Sequence, residues 1–174
     1  MEMKSKTLLI LYATQTGNAL DVAERIAREA ERRACTVVIR STDDYDAVFW
    51  RFLLQRNLGS HWLEGIHYAV FGLGDSGYQK YNFVAKKLDK RLSDLGATAV
   101  VERGLGDDQH PSGYEAALDT WLSSLWSRLN ETKPHFFPKG PDFLVSNEEL
   151  IGLPKVQVTY HNVDDMDSRL STAT

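Results

Sequence analysis

Only one cysteine, Cys35, stands in the 174 residues. No disulfide can close within the chain, and no multi-thiolate zinc or iron–sulfur site can be built from it. The five histidines, His61, His67, His110, His135 and His161, show no ligand spacing, so no metal site is expected. Basic residues are no excess: 20 Lys and Arg stand against 24 Asp and Glu, for a net charge of −4. That balance argues against a protein held on nucleic acid by phosphate neutralisation. No apolar run approaches the roughly 20 residues of a membrane span. The run near the N-terminus is too short for a signal peptide. These absences point to a reducing, cytoplasmic setting with neither membrane nor nucleic acid as partner. Proline is scarce too, and four of the five (Pro134, Pro138, Pro141, Pro154) fall late. The stretch from residue 134 to 174 therefore reads as a linker rather than core.

What remains is ordinary globular material, 43% hydrophobic and 25% charged. By length it is one domain able to bury roughly 70% of its unfolded surface. Thr7 to Tyr12 is a continuous apolar run, the pattern of a strand buried on both faces. Asn18 to Arg33 places Ala19, Val22, Ala23, Ile26, Ala27 and Ala30 on helical spacing, with Asp21 early and Arg32 and Arg33 late, as the helix dipole favours. Thr36 to Arg40 is a second, β-branched strand. Strand, helix, strand implies a parallel crossover and an α/β doubly wound sheet. Further strands are expected over His67–Gly72 and Thr98–Glu102. Helices are expected over Asn82–Leu95, with Val84, Ala85, Leu88 and Leu92 inward and Gly96 as cap, and over Gly113–Leu129.

Three polar loops follow three of these strands, and ligands of doubly wound sheets sit at such carboxyl ends. Thr14-Gln15-Thr16-Gly17-Asn18-Ala19 combines hydroxyls, a glycine and a helix N-terminus, a cradle for a phosphomonoester. It carries no lysine, so it is no Walker loop, and a plain polar turn capping a helix reads equally well. Leu73-Gly74-Asp75-Ser76-Gly77-Tyr78-Gln79-Lys80-Tyr81-Asn82 could lay glycine backbone against a flat ring. There Tyr78 would stack, and Asn82 would bond a polar edge; the alternative is a glycine-rich turn with exposed aromatics. Gly104-Leu105-Gly106-Asp107-Asp108 is either a turn or an acceptor pair for sugar hydroxyls. Cys35 reads as a small core residue at a helix–strand corner. Trp50, Phe52, Leu53 and Trp62 read as core rather than as a partner-binding group.

Taken together, these three loops resemble the flavodoxin-like FMN domain of the diflavin reductases, within the cytochrome P450 reductase superfamily. The run from Phe83 to Gly96 and Leu105-Gly106-Asp107-Asp108-Gln109-His110 are most similar to the plant-type NADPH-dependent diflavin oxidoreductases of cytosolic iron–sulfur assembly. The likeness covers about residues 6–141. It implies that Thr14 through Ala19 hold the FMN phosphate and that Leu73 through Asn82 flank the isoalloxazine, with Tyr78 stacking. It implies that Asp108, with Asp107 beside it, meets the ribityl chain. In such enzymes NADPH reduces FAD, FAD reduces FMN, and FMN passes electrons to a metal-centre acceptor, in this branch an anamorsin-type iron–sulfur assembly protein. On this resemblance residues 1–133 are the FMN domain and 134–174 lead toward an FAD domain. The chain is then expected to be inactive alone, lacking FAD and NADPH domains.

One departure is expected to matter. The family's sheet runs 2-1-3-4-5, but here Ser41-Thr42-Asp43-Asp44-Tyr45-Asp46-Ala47 passes directly into Val48-Phe49-Trp50-Arg51-Phe52-Leu53-Leu54-Gln55. That second run matches the helix after the family's third strand. The third strand and its glycine-containing flavin loop, about two dozen residues by usual element sizes, are absent across Ala47–Val48. Either Tyr68–Gly72 shifts beside the first strand, or the sheet keeps a gap. The flavin would lose one wall, so weak or no FMN retention is expected. Part of the Trp50–Trp62 group would be left exposed. The alternatives are a flavin-free flavodoxin-like interaction module or a non-functional splice product.

Overall fold

The computed structural model describes residues 7–42 and 46–134. The chain divides into two units, Met1–Phe143 and Leu144–Thr174, and all described residues belong to the first. Apart from Pro134, the stretch read as a linker lies outside the described residues, as do Asp43, Asp44 and Tyr45 beside the expected junction.

Strand β1 (Thr7–Tyr12) pairs in parallel with β2 (Thr36–Ser41), Thr7 opposite Thr36 and Tyr12 opposite Ser41. Helix α1 (Asn18–Arg32) makes the crossover and buries Val22, Ala23, Ala27 and Ala30. Its small residues let the helix lie close over Ile10, with Leu8 and Tyr12 packed alongside. Strand alternation then turns Leu9 and Leu11 to the opposite face. Cys35 is buried at the corner between α1 and β2. Helix α2 (Asp46–Leu53) follows.

The second half begins with β3 (His67–Tyr68) and β4 (Phe71–Gly74). It continues with α3 (Phe83–Asp94), β5 (Thr98–Ala99), β6 (Gly104–Asp107) and α4 (Glu115–Thr132). Strands β3 and β5 pair in parallel, as do β4 and β6. Here two expectations are corrected. The run expected as one strand over His67–Gly72 is broken into β3 and β4 while that over Thr98–Glu102 is strand only at Thr98–Ala99, and Gly104–Asp107, expected as loop, is strand β6. The reason lies in its glycines. A Cβ on Gly104 would stand 2.4 Å from the Phe71 ring and 2.7 Å from Trp121, and one on Gly106 would stand 2.6 Å from the Tyr114 Cβ. Side chains of β4, of α4 and of the turn before it press on this backbone, so a composition that reads as a turn forms a close-packed strand. A third correction concerns α3: Val84, expected inward, is 58% exposed, and none of the helix's residues is fully buried. Ala85 instead meets Gly72, where an added Cβ would lie 2.6 Å from its own.

The two half-sheets do not join. Among the described residues β1 pairs only with β2, and β4 only with β6. Tyr68–Gly72 has therefore not moved beside β1. The ladder is thus broken between the β1–β2 pair and the β4–β6 pair, where the third strand was expected. One helical layer spans the break. Val22 and Ala30 of α1 share a core with Leu118, Trp121, Leu122, Leu125 and Trp126 of α4, over Leu8 of β1 and Phe71 and Leu73 of β4. The Arg25 guanidinium meets Asp119 at 2.6 Å, and Arg33 lies over the Trp126 ring at 4.6 Å. On the opposite face Arg91 of α3 donates to the carbonyls of Leu53 and Gln55. That face is thinly covered: Leu9 is 56% and Leu11 48% exposed. In the Trp50–Trp62 group Leu53 is buried, whereas Phe52 and Trp62, packed edge to face, stay largely exposed. The partial exposure expected from a lost strand is thus present.

Candidate functional site

The three polar loops lie at the carboxyl ends of β1, β4 and β6. After β1, Thr14 Oγ1 accepts the backbone N–H of Gly17 at 2.9 Å, closing a tight turn through the exposed Gln15 and Thr16. Gly17 has φ 102, a left-handed conformation that a side chain would oppose, and it caps α1 without any side-chain bond. Its carbonyl receives the N–H groups of Leu20 and Asp21. Asn18 and Ala19 open the helix, where first-turn N–H groups have no intrahelical acceptor and the dipole favours an anion. This donor set fits a phosphomonoester.

After β4 the chain turns on Asp75, whose Oδ1 accepts the Gly77 N–H at 2.7 Å and whose carbonyl accepts that of Tyr78. The turn lifts Tyr78 into solvent, 72% exposed, with its ring free to stack on a flat partner. Ser76, Gly77, Gln79 and Lys80 are exposed, while Leu73 and Gly74 are half-buried in the strand. Tyr81 and Asn82 turn the other way. The Tyr81 hydroxyl donates to the Gly106 carbonyl at 3.2 Å, and Asn82 Nδ2 donates to the same carbonyl at 2.9 Å. Asn82 is 7% exposed and left-handed at φ 51, so it braces β4 against β6 rather than facing the loop edge. Its Oδ1 is buried without a partner among the described residues.

The loop after β6 is bound to the one after β4. Asp107 Oδ1 accepts the N–H groups of Ser76 at 2.9 Å and Gln109 at 3.0 Å. The Asp108 N–H donates to the Gly74 carbonyl at 2.9 Å, leaving its carboxylate exposed at the edge. Hydrogen bonds from Ser76, then from Gln109, hold the Asp107 carboxyl below the usual carboxylate range. Asp107 is the organising residue that the sequence left as a neighbour of Asp108. Its signal was available, because an aspartate accepting the N–H two residues on makes an Asx turn. Tyr114 was missed as well. Burial pushes its phenol up, and the charges of Glu115, Asp21 and Asp108 add to this.

The turn after β1 thus offers a donor set of the kind a phosphomonoester takes, and the loops after β4 and β6 are tied into one unit. FMN fits these residues at its phosphate and along one side of its ring. Among the described residues no cluster of His, Cys, Asp and Glu could hold a metal ion. No described helix is long and apolar enough to cross a membrane. Two clefts along α4, one bordered by Glu102, Ser124 and Arg128 and one by Arg25, Asp119 and Trp126, lie away from this edge.

The chain is similar to known proteins. The flavodoxin family model matches residues 10–50 and 37–121, in two overlapping pieces whose break falls across β2 and α2. An Arabidopsis thaliana protein named NADPH-dependent diflavin oxidoreductase 1 is 53% identical over 197 residues, covering 98% of this chain and 32% of its own length. Proteins of the same name from Xenopus laevis and Bos taurus are 38% and 41% identical over 88% and 80% of this chain, and 29% and 28% of theirs. The chain thus spans about a third of the length of these relatives. The Arabidopsis comparison runs over 197 residues, of which 98% of this chain supplies about 171, so about 26 positions have no counterpart here. Among solved structures, a Streptococcus pneumonia TIGR4 flavodoxin superposes with a TM-score of 0.55 at 19% identity, covering 71% of this chain and 99% of that one.

Proposed function

The chain belongs to the flavodoxin family, and from that membership we propose that it is the FMN-carrying part of an NADPH-dependent diflavin reductase. The observation that carries this reading is the pair of loops tied by Asp107 to Ser76, standing beside an uncapped phosphate turn at Gly17. Thr14 through Ala19 hold the phosphate. Leu73 through Lys80 flank the ring with Tyr78 against its face, and Asp108 takes the ribityl hydroxyls. Bound there, FMN supplies the stepwise electron transfer, and the chain's residues fix its orientation and leave an edge open. Electrons reach it from NADPH by way of FAD held elsewhere in the whole reductase. They leave for a protein acceptor, in this branch an anamorsin-type iron–sulfur assembly protein in the cytoplasm. Residues 134–174 serve as the linker toward the FAD-binding part.

The absent third strand and its loop favour a weakened form of this function. Titrating the chain with FMN and with riboflavin, while following flavin fluorescence, tests it. Quenching by FMN but not by riboflavin is the expected result, since the phosphate turn is the more complete part of the site. Restoring the segment of about 26 residues should tighten FMN binding. No quenching in either form of the protein would overturn the reading.

A further inference from the structure

Tyr78 sits midway in a run of turns that is tied down at both ends. Its N–H donates to the Asp75 carbonyl at 3.1 Å, and its own carbonyl accepts the Tyr81 N–H at 3.1 Å. The first end is anchored through Asp107, which accepts the N–H of Ser76. The second end rests on the half-buried Tyr81, whose hydroxyl donates to the Gly106 carbonyl at 3.2 Å. Tyr81 is held in turn by Lys86 of α3. The Lys86 ammonium donates to the Tyr81 carbonyl at 3.1 Å and lies over the Tyr81 ring, 5.0 Å from its centre.

A cation so near a helix start is unfavourably placed on local grounds. Helix α3 begins at Phe83, so Lys86 is its fourth residue, where the dipole favours negative charge. A carbonyl and an electron-rich ring face, both supplied by Tyr81, offset that cost. The other lysines of α3 are engaged elsewhere: Lys87 lies over the Trp50 ring at 5.8 Å, and Lys90 pairs with Asp94 at 3.2 Å. Lys86 alone of the three meets the ring-side loop. The Tyr78 ring, 72% exposed, draws little support from packing, so its place depends on the backbone that carries it.

We propose that Lys86 is the positioning residue of Tyr78: it fixes Tyr81, and Tyr81 fixes the carbonyl of Tyr78, so the stacking ring is set before flavin arrives. The inference rests on the reading that Tyr78 lies against the isoalloxazine, and adds to that site a residue outside its three loops. Lys86 acts through two others and touches no flavin. Its contribution is preorganisation, a loop that need not be ordered on binding.

Lys86→Met keeps the length and helix preference of the side chain but loses its charge and donors, whereas Lys86→Arg keeps both. Amide exchange in the full chain without FMN reads the first link. Lys86→Met should speed exchange at the Tyr81 N–H about tenfold, the scale of one charge-assisted hydrogen bond, with the melting temperature close to the parent's. Lys86→Arg should recover slow exchange. An FMN titration reads the second link. Lys86→Met should bind FMN several-fold more weakly and leave more flavin emission unquenched at saturation, which a loss of stability alone would not do. In a Tyr78→Ala background the same substitution should change neither quantity further. Equal weakening with and without Tyr78 would mean that Lys86 acts as a charge on the flavin phosphate, and would overturn the proposal. Unchanged exchange at Tyr81 in Lys86→Met would overturn it as well. Should no form of the chain bind flavin, the proposed function fails, and the exchange result alone decides whether Lys86 sets the Tyr78 turn.

Discussion

Asp107 accepts the backbone N–H of Ser76 at 2.9 Å across 31 residues of sequence, so a single carboxylate oxygen binds the two ring-side loops into one unit. The same oxygen caps Gln109, and the two donors together keep the carboxyl ionised below its ordinary range. Asp107→Ala should speed amide exchange at Ser76 and Gln109 and weaken FMN binding several-fold, while the melting temperature stays close to the parent's. A folded pKa below the unfolded one means that this tie is present above the usual carboxylate range and is lost as pH falls through the lowered value. The exchange rate at Ser76 should accordingly rise only in acid. A variant that keeps both slow exchange and affinity would show that the loops are held by something else.

Asn82 is the buried counterpart of that surface tie. Its side chain holds the Gly106 carbonyl at 2.9 Å, and its backbone is left-handed, a conformation that asparagine tolerates better than most residues. Asn82→Ala gives up the bond and leaves a buried carbonyl short of one donor, a loss of about 1–3 kcal/mol. Denaturant unfolding should show a lower midpoint with an unchanged slope. Asn82→Asp, which cannot donate from an ionised carboxylate, should fare no better near neutral pH.

Gly104 is a strand residue because nothing larger fits. A Cβ there meets the rings of Phe71 and Trp121, themselves packed with centroids 5.2 Å apart. Gly104→Ala should destabilise by about 1–3 kcal/mol through overpacking. Gly17→Ala meets nothing within 4 Å yet stands at φ 102, so its cost is backbone strain at the phosphate turn. Unfolding curves and FMN titrations should separate the two: the first variant loses stability before affinity, the second mainly affinity.

The same glycines explain what could be seen in the sequence and what could not. Periodicity placed β1, α1, β2 and α4 within a few residues, because apolar spacing reports directly on which face is buried. It failed at Gly104–Asp107, where neighbouring aromatic rings rather than local preference make the strand. It also failed at Val84, where the set of α3 is decided by Ala85 against Gly72. Residue type marked three polar loops, of which the structure ties those after β4 and β6 to each other. It could not distinguish Tyr78, turned to solvent, from Asn82, turned inward, since that depends on backbone direction after β4. The break in the ladder was legible because an absence in a family pattern is read by counting elements.

Tyr68 gives a test in alkali. Burial first, and then the hydrogen bond to Asp89, push its phenol up to about 12, and Arg103 pairs with the same carboxylate. The folded protein therefore holds this proton more tightly than the unfolded chain, whose tyrosine titrates near 10. Stability from this group is complete below about pH 10 and is lost as pH rises toward 12. Melting temperatures measured from pH 8 upward should fall less steeply for Tyr68→Phe than for the parent across that window. Parallel curves would mean that the hydroxyl contributes nothing to the pH dependence.

Leu118 and Leu9 carry the same side chain in opposite circumstances, one 1% and the other 56% exposed. Leu118→Ala empties a site in the core shared by α1 and α4 and should cost about 2–5 kcal/mol. Leu9→Ala should fall within about 0.5 kcal/mol of the parent, as an exposed substitution does. Local sequence would not predict this, since Leu9 lies mid-run in the most apolar strand of the chain. Its exposure goes with an uncovered place on the face of β1 turned away from α1. The comparison should therefore change once that place is filled. With the segment of about 26 residues restored in the chain, Leu9→Ala should become distinctly destabilising, while the cost at Leu118 stays as it was. If Leu9 remains insensitive in the restored protein, the missing segment is not the cause of its exposure.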